Sequence, residues 1–278
     1  MTRGPRQAYP PPGHIIRHLK MDLELRSEDE LHGTMPILDD MRDAGGALRL
    51  GALATFVDVA AGTFSHEMVR PDWLATSDMK IHVSRPADGD EVRSVTSTLR
   101  AGRRNILSST LVSDYIGEVA RSWVTYARLP RRGDSPPVEA GSRVGRRLHY
   151  FEDPTLDSEI DRPMLDDYLG LRVSAGSLAI ELDHHPRIHN SFGSLQGGAA
   201  AVLVERLGME AAERRFGRPC RATDLHIHYL GQTRAGPFRV EGDELRVDDS
   251  SVTCEVAVLD AGNDGELLDL ATVTASPI

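Results

Sequence analysis

The sequence predicts an α+β protein built by duplicating one domain, each copy pairing a long buried helix with an antiparallel sheet. Three observations carry this. The stretches RLGALATFVDVAAG at 49–62 and SLQGGAAAVLVERLG at 194–208 share one make-up: a glycine opens the run, small apolar residues fill it, and a lone acid interrupts it. Those acids, Asp58 and Glu205, lie 147 positions apart. A second marker repeats as well, since ATSDMKIHVSRPADG at 75–89 matches ATDLHIHYLGQTRAG at 222–236. Gly89 and Gly236 keep the spacing of 147, whereas Asp78 and Asp224 are 146 apart, so a single-residue gap separates the two markers. A period this long is a domain repeat, not a solenoid.

Taken in order, residues 1–13 are Pro-rich and read as a disordered tail, 14–130 as the first unit, 131–164 as a polar Pro/Gly/Arg-rich linker with an acidic end, and 165–278 as the second unit. One strand is expected before each helix, near 22–37 and 170–183. The helix at 51–68 has no charge but Asp58 until His66 and Glu67, so it should be buried all round. The helix at 197–215 is amphipathic near its end, where Arg206, Glu210 and Glu213 mark a wet stripe. Glu205 lies off that stripe, among Ala201, Val202, Gly208 and Met209. Four strands with Gly-containing turns follow each helix: TSDMKIHVSRP, DEVRSVTSTLRAG, NILSSTLVSDYIG and EVARSWVTYARL in the first unit, TDLHIHYLG, FRVEGDELRVD, SVTCEVAVLDAG and LLDLATVTAS in the second. Short hairpins give an antiparallel sheet with one helix to cover.

Composition narrows the function. A net charge of −10 argues against nucleic acid as a partner, because phosphate binding needs a basic face. The two cysteines, Cys220 and Cys254, lack metal-ligand spacing, and the N-terminal residues carry no apolar core of a signal peptide. No stretch approaches the roughly 18 apolar residues of a membrane span. A reduced cytoplasmic protein, with no membrane partner, no cofactor and no metal, is the expectation.

The segment NSFGSLQGGAAAVLVE, from Asn190 through Glu205, resembles the signature of the PaaI-like acyl-CoA thioesterases: an Asn, then His-Gly-Gly, then an acid eight residues after the first Gly. Gln196 stands in the histidine's place. The strand ATSDMKIHVSRPADGD followed by RAGRRN is similar to the same family. The resemblance implies two tandem hotdog domains, each a sheet wrapped round a central helix, packed as a pseudo-dimer, with sites formed across the pair. One site would combine Asn190, Gln196 and Gly197 with Asp58 and Thr76 of the other unit. The second would combine Asp43, Arg49 and Leu50 with Glu205 and Ala222 or Thr223. That second set departs from the family pattern, with Asp43 for the Asn, Arg49 for the His and Leu50 for the first Gly, so one competent and one altered site are expected. The resemblance further implies an acyl-CoA substrate, a place in lipid metabolism, and a homo-oligomer of two-domain chains. Gly198, Arg103 and Arg104 are candidate substrate contacts, the arginines for coenzyme A phosphates.

These residue types suit thioester hydrolysis. A helix N-terminus offers unpaired N–H groups and partial positive charge to an oxyanion, and Gly197 lets a carbonyl approach closely. Asp58 would activate water or attack directly, and its apolar helix should raise its pKa toward that of a useful base. Plainer roles compete: Gly197-Gly198 could serve helix packing, Gln196 could cap the helix, Thr76 could be an ordinary strand residue, and Glu205 could face solvent. Two other functions share the fold. DHHPRIH at 183–189 loosely matches the motif of hotdog enoyl-CoA hydratases, with His189 as the catalytic candidate. A non-catalytic acyl-CoA-binding protein is the other. His226 and His228, at period two on a strand, could bind metal but lack an evident carboxylate partner in the sequence.

Overall fold

The computed structural model describes residues 9–130, 143–150 and 162–278. The first unit opens with a short helix α1 (Ile15–His18), a hairpin β1 (Asp22–Leu25) and β2 (Glu30–Pro36), then the long helix α2 (Leu50–Val69) and four strands, β3 (Trp73–Val83), β4 (Glu91–Ala101), β5 (Asn105–Ser113) and β6 (Glu118–Leu129). A short β7 (Arg147–His149) and α3 (Leu165–Leu169) lead to β8 (Arg172–Val173) and β9 (Ala179–Leu182). Helix α4 (Gly197–Phe216) and strands β10 (Cys220–Tyr229), β11 (Phe238–Val247), β12 (Val252–Asp260) and β13 (Glu266–Pro277) complete the chain. The α+β class expected from the sequence is the architecture found. α2 and α4 start 147 residues apart, as the sequence markers do.

Three local expectations change. Each single strand expected before a helix is a hairpin, because polar runs, Arg26–Asp29 in one unit and Ser174–Ser177 in the other, turn the chain back on itself. Residues 1–8 of the expected tail and 131–142 and 151–161 of the expected linker lie outside the described residues. From Tyr9 onward the tail segment is docked, its Tyr9 hydroxyl donating to the His189 carbonyl and the Pro10 carbonyl accepting from Arg17. Within the linker span, β7 pairs antiparallel with β1 and so extends the sheet.

Among the described residues all strands join one 13-stranded antiparallel sheet, in the order β7-β1-β2-β4-β5-β6-β3-β10-β13-β12-β11-β9-β8. Apart from β7, which has no counterpart, the second half repeats the first in mirror order, and the seam is β3 against β10. Across it Asp78 faces His228, Lys80 faces His226 and His82 faces Asp224, a reciprocal register that makes the two units a pseudo-dimer within one chain. Each half curls round its own helix, and alternate strand residues such as Val252, Cys254, Val256 and Val258 point into the core.

The two helices also meet, and the contact is reciprocal. A Cβ on Gly198 would stand 2.5 Å from the Thr55 Cα, and one on Gly51 would stand 2.8 Å from the Val202 Cα. Only glycine permits this backbone approach. It brings the N-terminus of each helix beside the acid of the other, which is what builds the site. α4 ends at Gly217, whose φ of 66° is the left-handed cap that glycine adopts without strain. Among the described residues no helix is long and apolar enough to cross a membrane.

Candidate active site

Asp58, 7% exposed on α2, points at the start of α4. Its Oδ1 accepts from the Thr76 hydroxyl at 3.0 Å, its Oδ2 accepts from Gln196 Nε2 at 2.9 Å, and the Gly198 N–H donates to the same carboxyl. Burial pushes its pKa up to about 6, against the pull of the Thr76 and Gly198 hydrogen bonds. Gln196 does two things: its Oε1 caps α4 by accepting from the Ala199 N–H at 2.8 Å, and its amide NH2 holds Asp58. The helix start is therefore fully assigned except at one group. Gly198 N–H goes to Asp58, Ala199 N–H to Gln196 Oε1 and Ala200 N–H to the Gln196 carbonyl, while the Gly197 N–H has no partner among the described residues. A Cβ at Gly197 would stand 3.0 Å from Asp58 Oδ2, so the glycine is also what lets the acid come this close.

This group forms part of the wall of a cavity of about 800 Å³ between the two units. Val59, Gly62, Thr63 and His66 of α2, Trp73–Ser77 of β3, and Tyr126 of β6 line one side. Asn190, Phe192, Gln196, Gly197, Tyr229–Thr233, Leu268 and Asp269 line the other. Tyr126 donates its hydroxyl to the Asp58 carbonyl and Tyr229 donates to the Gly197 carbonyl, both at 3.0 Å. The two tyrosines thus brace the two helices from their own halves of the sheet. The Asn190 Oδ1 accepts from the Phe192 and Ser194 N–H groups, shaping the loop that leads into α4.

The sequence candidates divide accordingly. Asp58, Thr76, Asn190, Gln196 and Gly197 all line the cavity. Gly198 does not line it: it packs on Thr55 and spends its N–H on Asp58. Arg103 and Arg104 are exposed in the turn between β4 and β5 and do not line the cavity either. The arginines that do are Arg143 and Arg146, from the span read as linker. His189 is not among the residues that line the cavity, and its ring lies 3.2 Å from that of His184.

The symmetry-related position is filled by charged side chains. Arg49, in the place of Gln196, donates from Nε and Nη2 to Glu205 Oε2 at 3.2 and 2.9 Å and from Nη1 to Asp166 Oδ1 at 2.6 Å. Glu205 is 1% exposed, so it does not face solvent. Burial pushes the Glu205 carboxyl up against the pull of Arg49, and the two carboxylates keep Arg49 charged despite its burial. Leu50 occupies the position of Gly197 and is buried, and Asp43 is tied to Arg221 and to the N–H groups of Gly45 and Ala47.

Sequence reading missed Tyr126, Tyr229, Asp269 and the pocket aromatics. For Asp269 a signal existed, a single acid in the otherwise uncharged LLDLATVTA, akin to the one that picked out Asp58. The carboxylate that His226 and His228 lacked in the sequence comes from the facing strand. Asp78 Oδ2 lies 2.8 Å from His226 Nε2 and 2.9 Å from His228 Nδ1. Among the described residues this is the group that could hold a metal ion, and it sits apart from the cavity lining.

Residues 192–266 match the family model described as Thioesterase superfamily. The chain is 33% identical over 91 residues to the proofreading thioesterase EntH of Klebsiella pneumoniae, covering 32% of this chain and 66% of that relative's length, just under two thirds. The crystal structure of an acyl-ACP thioesterase from Bacteroides thetaiotaomicron superposes with a TM-score of 0.59 at 14% identity, covering 90% of this chain and all of the other. The tesB protein of Mycobacterium avium subs paratuberculosis gives 0.61 at 9% identity, covering 91% and 94%. At those identities the likeness is one of fold.

Proposed function

We propose that this chain, a member of the thioesterase superfamily, hydrolyses an acyl-CoA thioester at one composite site between its two hotdog units. The observation that carries the reading is the meeting of Asp58, from one unit, with the unpartnered Gly197 N–H at the start of α4 in the other, at the wall of a cavity large enough for an acyl group. In this reading the thioester carbonyl oxygen lies on the Gly197 N–H, where the helix dipole favours the developing negative charge; one such donor is worth about 3 kcal/mol. Asp58 takes a proton from water, the water oxygen bonds to the carbonyl carbon, and the C–S bond breaks. The proton held on Asp58 then goes to the leaving thiolate. Thr76 and Gln196 fix the carboxyl, so neither has to touch substrate. Arg143 and Arg146 at the cavity wall suit the phosphates of coenzyme A. The PaaI-like branch is the finer assignment that the Asn190–Glu205 pattern favours.

The test is thiol release from a panel of acyl-CoA chain lengths. Free coenzyme A should appear, and kcat/KM should rise with pH through an apparent pKa near 6 and then level, because the base must be ionised. Enoyl absorbance lost without thiol release would favour a hydratase. Thermal protection without either would favour a binding protein. The same reading includes a homodimer of two-domain chains, which sizing should find well above the 30.5 kDa of one chain.

A further inference from the structure

Five acidic residues are buried as whole residues among those described: Asp40, Asp58, Glu205, Asp260 and Asp269. Four are held by the protein. Asp40 is bonded by His18 and Arg162, Asp58 by Thr76 and Gln196, Glu205 by Arg49, and Asp260 by Thr233 and the Gly236 N–H. Asp269 is 4% exposed, lines the cavity, and has no hydrogen-bond or ion-pair partner among the described residues. It lies on β13 directly opposite Tyr229 of β10, whose hydroxyl reaches the Gly197 carbonyl. Asp269 is therefore one side chain removed from the proposed oxyanion donor. A polar group that deep without a partner is costly and is kept where something outside the fold completes it.

The neighbours indicate which part of a substrate that is. Leu230 and Leu268 flank Asp269 on the cavity wall, while the cations that would suit phosphates, Arg143 and Arg146, come from a different segment. A carboxyl is a poor neighbour for phosphate, so the acyl group is the part that suits this wall. We propose that Asp269 is a specificity-determining residue that hydrogen-bonds a neutral polar substituent, a hydroxyl or carbonyl, on the acyl group, selecting substituted acyl thioesters over plain alkyl ones. Desolvation pushes the Asp269 pKa up to about 8, so at neutral pH the group is chiefly the neutral acid, able both to donate and to accept. A hydroxyl answers both functions, and a carbonyl answers the donor. This inference rests on the thioesterase reading for its chemistry but not for its binding preference.

The experiment compares acyl-CoAs of equal length with and without a hydroxyl or keto group at successive positions, in the wild type, Asp269→Asn and Asp269→Leu. Thiol release gives kcat/KM. Non-hydrolysable thioether analogues of the same pairs give Kd. The wild type should favour one substituted member by tenfold or more in both measures. Asp269→Leu should abolish or invert that preference, and Asp269→Asn, which still donates and accepts, should keep most of it. No preference at any position in the wild type overturns the proposal, whatever the variants do. Equal losses on both members of a pair in Asp269→Leu overturn it too, by showing a purely structural role. A preference among thioethers that depends on Asp269, with no thiol released from any ester, would sink the hydrolase and leave this inference standing. Thiol release without preference would do the reverse.

Discussion

Asp58→Asn should lower kcat/KM for thiol release by about 100-fold or more, the loss expected when a general base is removed. The fold should survive, because the asparagine fits the hydrogen bonds already present. Its Oδ1 can accept from Gln196 Nε2, and its Nδ2 can donate to the Thr76 hydroxyl, which accepts as readily as it donates. Stability should rise at neutral pH. Burial holds the folded-state pKa of Asp58 near 6 against an ordinary 3.8, so the folded protein binds the extra proton. Its contribution is full below the unfolded value and is lost as pH climbs through the folded one, a difference on the order of 3 kcal/mol. Asp58→Asn should therefore unfold at higher urea than the wild type at pH 7, and the gap should close toward pH 4. Full activity in this variant would remove the proposed base, and a fall in stability at pH 7 would contradict the burial argument.

Arg49→Met should have the largest effect on stability and little on catalysis. Without the guanidinium, Glu205 loses its ion-pair partner while remaining 1% exposed, whereas Asp166 keeps Arg206 at 3.4 Å. Breaking one side of a buried pair costs about 3–5 kcal/mol, because a charge is left uncompensated. With its stabilising cation gone, the Glu205 folded-state pKa should climb further above its ordinary 4.5, so the deficit should grow as pH rises. Adding Glu205→Met to Arg49→Met should restore most of the loss, since apolar residues of similar volume often replace buried ion pairs without penalty. Urea unfolding at two pH values measures both. kcat/KM per folded molecule should stay within about threefold of the wild type, because loss of a pair remote from the reacting atoms leaves the transition-state contacts in place. A large drop in kcat/KM for Glu205→Gln at unchanged stability would instead mark a second working site.

The duplicated helix and strand patterns carried the fold in the sequence, because burial leaves a periodic trace and a copied domain leaves it twice. An acid set in an apolar helix was equally legible, since nothing in local structure calls for a carboxylate there. That is why Asp58 and Glu205 stood out from the chain alone. The same rule, applied to LLDLATVTA, would have marked Asp269.

Other features needed the folded chain. Asp58 and Glu205 hold equivalent positions, yet one opens onto a cavity and the other closes on Arg49, and the difference lies in residues contributed by the opposite unit and by α3. Gly198 reads as a substrate contact, but its missing side chain serves the approach of α4 to Thr55. Arg103 and Arg104 read as phosphate contacts, while Arg143 and Arg146, from a stretch without periodicity, line the cavity. By itself the sequence determined which side chains exist to be buried and in what repeating order. The tertiary structure decided which of them face one another across the seam, because proximity between units depends on helix crossing and strand register, and neither leaves a local trace in the chain.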